Sequence, residues 1–127
     1  MRDILFRAKR VSNGEWEYGK IVEFGYTNEP VQYCIVPTYA SALYGLPVDP
    51  NTVGQYIGVD DNNGDKIFEG DILKLNQSGC VEVVFDDGVF GAWLDGVGMA
   101  PLLISLFGEG GIVIGNVYDE EEMSKGK

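Results

Sequence analysis

The chain of 127 residues contains no histidine. That removes Ser-His-Asp and Cys-His catalytic arrangements and every metal site built on imidazole. Basic residues are scarce as well. Nine Lys and Arg stand against 20 Asp and Glu, for a formal net charge of -11 and a sequence pI of about 4.2. Affinity for nucleic acid comes largely from Lys and Arg neutralising phosphates, so nucleic-acid binding is disfavoured. No run of about 18 apolar residues is present, so no membrane-spanning helix is expected. Leu102 to Phe107 is apolar but far too short. The opening Met1-Arg2-Asp3 has no apolar signal core, and a cytoplasmic protein is expected. Cysteine occurs only at Cys34 and Cys80, far apart and without ligand spacing. In a reducing compartment both are read as reduced, small core residues.

What is present points to a folded β protein. Hydrophobic residues make up 45% and aromatics 12% of the chain, enough for a core in a single domain. Glycine is used 18 times, well above a usual share of about 7%, which favours a turn-rich β architecture. The basic residues Arg2, Arg7, Lys9 and Arg10 cluster near the start and are read as a solvated face rather than a phosphate site.

In chain order, Asp3 to Val11 reads as a strand, Ser12-Asn13-Gly14 as a hairpin turn, and Glu15 to Phe24 as the returning strand, with Gly19 as a candidate bulge. Val31 to Val36 is a third strand. Tyr39 to Leu46 is read as irregular. Past the central stretch, Val81 to Phe85 and Val89 to Leu94 are strands joined by Asp87-Gly88. Asp95 to Pro101 reads as a loop, Leu102 to Phe107 as a strand apolar on both faces, and Ile112 to Ile114 as a short strand before an acidic end.

The central stretch, Val48 to Leu75, carries the best-defined pattern. Thr52 to Val59 is rich in β-branched and aromatic residues, Asn63-Gly64 supplies a tight turn, Lys66-Ile67-Phe68 returns, Glu69-Gly70-Asp71 turns again, and Ile72 to Leu75 leaves as a strand. The run TVGQYIG, the Asn-Gly turn and KIFEGDIL resemble the YopX family of phage and prophage proteins. MRDILFRAKRVSNGEWEYG at the start and IGNVYD near the end fit the same family, so the resemblance spans nearly the whole chain. It implies an all-β fold, a small antiparallel barrel of the Src-homology-3-like kind. It also implies a phage or prophage origin, self-association and no catalytic site. Tyr39 to Gly45 and Met99 to Gly111 match no motif of the family.

The residues offer little chemistry to set beside this. Taken as an EF-hand loop, a start at Asp60 puts Gly64 at position five, and a start at Asp61 puts Lys66 at position six and Ile72 at position twelve. Both registers fail, so the acidic segment is read as a hairpin turn and no metal or other cofactor is expected. Glu69 and Asp71 flank Gly70 as a carboxylate pair, but a turn role, with Asp71 capping backbone N–H groups, is simpler than catalysis. The structural motif residues are therefore Asn63, Gly64, Phe68, Glu69, Gly70 and Asp71.

The expected organisation is one domain: residues 1–48 as N-terminal strands including an added β-hairpin, 49–118 as a barrel-like core, and 119–127 as an acidic tail. In a small barrel the second apolar face of Leu102 to Phe107 needs cover, which makes Leu103 and Phe107 candidate interface residues and a homo-oligomer the expected state. The expected function is non-enzymatic, through self-assembly or binding of a host or phage protein. The alternatives are an acidic DNA mimic or nucleic-acid-associated module, and a carboxylate-based hydrolase.

Overall fold

The computed structural model describes residues 4–25, 31–39, 45–75, 79–86, 88–94, 98–101 and 111–119. The chain is all-β, with strands in two antiparallel sheets, and it divides into two compact units, Met1–Tyr56 and Ile57–Lys127. Among the described residues the strands form no closed barrel.

In the first unit β1 (Phe6–Lys9), β2 (Trp16–Phe24), β3 (Gln32–Pro37) and β4 (Leu46–Pro47) lie in the spatial order β4-β3-β2-β1. The β1–β2 hairpin closes where the Asn-Gly pair demands it. Gly14 takes φ +72°, its N–H donates to the Arg10 carbonyl at 2.9 Å, and the Arg10 N–H donates to the Glu15 carbonyl at 2.9 Å. Gly19 does not bulge. The pairing with β1 ends on it at Phe6↔Gly19 and the pairing with β3 begins on it at Gly19↔Pro37, neither with a register shift. The reason for glycine is close approach: a Cβ there would lie 1.9 Å from the Val36 carbonyl oxygen. The core of this unit is Ala8, Ile35, Leu46 and Val48, with Ile21, Tyr33 and Val53 packed on it.

The strand β5 (Gly54–Asp60) carries the boundary between the units within it. Its first residues, Gly54 and Gln55, pair with Arg7 and Phe6 of β1. Its other neighbour is β6 (Lys66–Phe68). The second unit continues with β7 (Asp71–Leu75), β8 (Gly79–Asp86), β9 (Val89–Leu94), β10 (Gly98–Pro101) and β11 (Ile112–Asn116), in the order β10-β9-β8-β7-β11. Ile67, Leu73, Val81, Val83 and Ala92 form its core, with Ile57, Val59, Leu75 and Val113 packed against them. Fully burying one such aliphatic side chain contributes about 1.5–3 kcal/mol.

Several expectations are corrected. The strands Gln55 to Val59, Lys66 to Phe68, Ile72 to Leu75, Val81 to Phe85 and Val89 to Leu94, expected from the sequence to form one antiparallel barrel-like sheet, fall in two sheets, because β6 pairs with β5 and the turn at Glu69-Gly70 sends β7 into the second sheet. Gly98–Pro101, expected in a loop, is a strand, since its backbone completes the open edge of β9 through pairs such as Met99↔Trp93. Cys34 is buried as expected, but Cys80 is exposed because it pairs with Lys74 on the side of the sheet away from the core. The positions Leu103 and Phe107 lie outside the described residues, as do residues 40–44 of the irregular segment.

Candidate functional site

The turn joining β5 to β6 is built around Asp61, not only around Asn63-Gly64. Asp61 is 7% exposed. One carboxylate oxygen, Oδ1, accepts the N–H of Asn63 at 2.9 Å and of Asp65 at 2.8 Å, and Oδ2 accepts the N–H of Val113 on β11 at 2.9 Å. The backbone closes beneath it, with Asp61 N–H on the Asp65 carbonyl at 2.7 Å and Gly64 N–H on the Asp61 carbonyl at 3.0 Å. Gly64 sits at φ +84° with open space around it, which is why glycine follows Asn63. Burial pushes the Asp61 carboxyl up, but the N–H groups of Val113, Asp65, Asn63 and Gly64 outweigh it and hold the group below its ordinary value. Asp61 is thus a backbone anchor that ties the hairpin to β11.

The second turn, Phe68 to Asp71, is held against the segment that follows β11. Phe68 N–H donates to Asp71 Oδ2 at 2.7 Å, and Asp71 is 1% exposed. Gly70 takes φ +92°, donates to the Val83 carbonyl at 2.8 Å and accepts the Val117 N–H at 3.0 Å. The Tyr118 ring covers it so closely that a Cβ on Gly70 would lie 2.8 Å from Cε2. Asn116 pairs with Asp71 in register. It also exchanges two bonds with Asp119: its Oδ1 accepts the Asp119 N–H at 2.9 Å, and its Nδ2 donates to Asp119 Oδ2 at 2.8 Å. The segments KIFEGD and IGNVYD therefore close one structural knot. Phe68, Gly70 and Asp71 meet there, while Asn63 and Gly64 belong to the separate Asp61 turn. Glu69, between Phe68 and Gly70 in the same turn, is half-buried. The sequence reading missed Asn116 and Tyr118, although the Asn116/Asp119 spacing has the form of a helix-start capping pair and a helical turn does follow at residues 117–119.

In the first unit Arg7 and Lys9 do not lie on a solvated face, and Arg2 of the basic cluster lies outside the described residues. Arg7 is 6% and Lys9 4% exposed. Both have the same strand parity, and their cross-strand partners are Tyr18 and Trp16. The Trp16 ring lies 4.6 Å from the Arg7 guanidinium carbon and 5.4 Å from Lys9 Nζ, so the aromatic face replaces water around both cations. Arg10 meets Glu17 at 3.6 Å. The Lys9 N–H donates to Thr52 Oγ1 at 2.9 Å, fixing β1 to the Pro50–Thr52 turn. An open cleft of about 380 Å³ in this unit is lined by Ile4, Leu5, Gly19, Lys20, Val36, Pro37 and Thr38, and contains neither Glu69 nor Asp71.

The remaining concentration of chemistry is the outer side of the five-stranded sheet, where Trp93 is 48% and Val89 51% exposed. Glu82 lies there between its cross-strand partners Ile72 and Trp93, and burial pushes its carboxyl up. Burial likewise raises the Cys34 thiol in the first unit, which makes it a poor nucleophile. Among the described residues no three Cys, Asp or Glu side chains gather in a way that could hold a metal ion, and no helix is long and apolar enough to cross a membrane.

A family model described as "YopX protein" matches residues 5–123. The crystal structure of protein EF1440 from Enterococcus faecalis is similar in fold, with a TM-score of 0.61 and 23% sequence identity over 97% of this chain and 99% of that one. No curated protein matches the chain at a significant level.

Proposed function

We propose, from the premise that this chain belongs to the YopX protein family, that it is a non-enzymatic phage or prophage accessory protein acting in the host cytoplasm through self-assembly or docking on a protein partner. The observation that carries this reading is how the motif residues are used. Asp61 and Asp71 face backbone N–H groups from buried positions, and Gly64 and Gly70 supply positive φ. The family motifs thus serve the fold, and what the second unit offers a partner is apolar and aromatic surface such as Trp93 and Val89. A hydrolase built on Glu69 and Asp71 would need the carboxylates open to substrate, and Asp71 at 1% exposure argues against it.

Light scattering across the micromolar range tests the self-assembly half. An oligomer that survives raised salt is expected, since screening weakens repulsion between chains of net charge -11. Leu103→Asp and Phe107→Asp should weaken it. A monodisperse monomer at low and high salt that also retains no protein from host extract would refute the proposal.

A further inference from the structure

The chain has two Asn-Gly pairs, Asn13-Gly14 and Asn63-Gly64, and both stand in exposed turns. An asparagine followed by glycine carries a reaction of its own, because no side chain shields the next peptide nitrogen. That nitrogen gives its proton to solvent base and attacks the asparagine Cγ. The N–Cγ bond forms, the side-chain nitrogen takes a proton from solvent and leaves as ammonia, and a cyclic succinimide remains. Water then opens the ring at either carbonyl, leaving aspartate or isoaspartate.

The two turns give this step opposite surroundings. At the tip of the β1–β2 hairpin the Glu15 N–H donates to Asn13 Oδ1 at 2.9 Å. Negative charge develops on that oxygen when Cγ is attacked, so the donor stabilises the tetrahedral intermediate. The Gly14 N–H rests on the neutral Arg10 carbonyl at 2.9 Å. Residues 11–15 are all exposed, and among the described residues Ser12 to Glu15 bond only within the tip and to Arg10. Bringing the Gly14 nitrogen onto Cγ therefore opens one local turn. The turn at Asn63 is held differently. The Gly64 N–H bonds the Asp61 carbonyl at 3.0 Å, and the Asp61 carboxylate also draws on it. Negative charge beside that N–H opposes the loss of its proton. The same carboxylate holds the N–H groups of Asn63 and of Val113 on β11, so opening this turn strains a bond to a distant strand. Among the described residues nothing donates to the Asn63 side-chain oxygen.

We infer that Asn13 is a self-modifying site of the folded protein, converted through a succinimide to aspartate and isoaspartate, while Asp61 shields Asn63 from the same reaction. Either product sets a new carboxylate on the tip of a chain that already carries -11. Isoaspartate also adds a methylene to the backbone inside the turn that the Gly14–Arg10 bond closes.

The test is peptide mapping of the full native chain by mass spectrometry during incubation at mildly alkaline pH. Tryptic cleavage after Arg10 and Lys20 isolates Asn13, cleavage after Lys20 and Lys66 isolates Asn63, and fragmentation locates the changed residue. Exchange of the side-chain NH2 for OH should appear at Asn13 roughly tenfold faster than at Asn63, or more. In urea, where neither turn persists, the two rates should become alike. Asp61→Asn, which removes the charge, should speed Asn63 several-fold in the folded chain and leave Asn13 unchanged. The unsubstituted chain compares the two sites without any variant. Native Asn63 reacting as fast as Asn13, or Asn13 inert in the native chain yet reactive in urea, would overturn the inference. An Asn63 rate indifferent to Asp61→Asn would overturn the shielding by Asp61.

Discussion

Removing the Asp61 carboxylate should loosen the second unit at a place where no hydrophobic contact is lost. In Asp61→Ala three backbone donors lose their acceptor: the N–H groups of Asn63, Asp65 and Val113, now bonded at 2.9, 2.8 and 2.9 Å. A hydrogen bond to a charged group contributes about 1.5–3 kcal/mol. The three are not additive here. Asn63 and Asp65 are exposed, so water can take over their N–H groups, whereas the Val113 bond is partly buried and holds β11 to the hairpin. The expected loss is therefore about 2–4 kcal/mol, a large share of the roughly 5–15 kcal/mol typical of a domain. Asp61→Asn keeps one acceptor oxygen but turns an NH2 toward a donor, and should lose about half as much. Urea unfolding followed by Trp93 fluorescence in a Trp16→Phe background reads the second unit alone. The pH dependence has a definite sign. The folded state holds Asp61 below its ordinary value, so between the two values the unfolded chain binds more protons and stability rises with pH. The contribution is complete above the unfolded carboxylate value of about 3.9 and fades as pH falls through the lower folded value. The gap between the unsubstituted protein and Asp61→Asn should narrow over that acid range. An unchanged urea midpoint for Asp61→Ala at neutral pH would refute the anchor.

Gly70→Ala combines a positive φ with a Cβ 2.8 Å from the Tyr118 ring, whereas Gly64→Ala meets only the positive φ in open space. The first should lose about 2–4 kcal/mol and the second about 1 kcal/mol by chemical denaturation, and equal losses would contradict the close cover of Tyr118. The native protein should react with a thiol reagent at Cys80 alone, with Cys34 following only on unfolding, because Cys34 is buried and its thiol is pushed up while Cys80 is exposed. Rapid labelling of both cysteines in the native state would contradict the placement of β3.

What could be read from the sequence, and what could not, divides by distance along the chain. The hairpin at Asn13-Gly14 and the turn at Asn63-Gly64 were legible because the dihedral requirement and the residue that meets it are the same residue. The all-β class and most strand positions followed from local alternation in the same way, and β6 was read at its observed bounds, Lys66–Phe68. Asp61 was weighed as a calcium ligand and missed as an anchor, because one of its acceptor bonds reaches Val113, 52 residues on. Gly19 was read as a bulge because its true reason, the Val36 carbonyl of the next strand, is not adjacent in sequence. Arg7 and Lys9 were placed in water because charge alone says so, and only the pairing of β1 with β2 reveals that Trp16 covers them. The outer face of the second sheet is the extreme case. Lys74, Glu82 and Trp93 come from three strands, and each is ordinary in its own segment. Their meaning lies in register, and a shift of one residue between β7 and β8 would turn one of the two charges toward the core. The hydrophobic alternation of Leu73, Val81 and Val83 forbids that shift, so the core that the sequence displays openly is what fixes the surface chemistry it conceals.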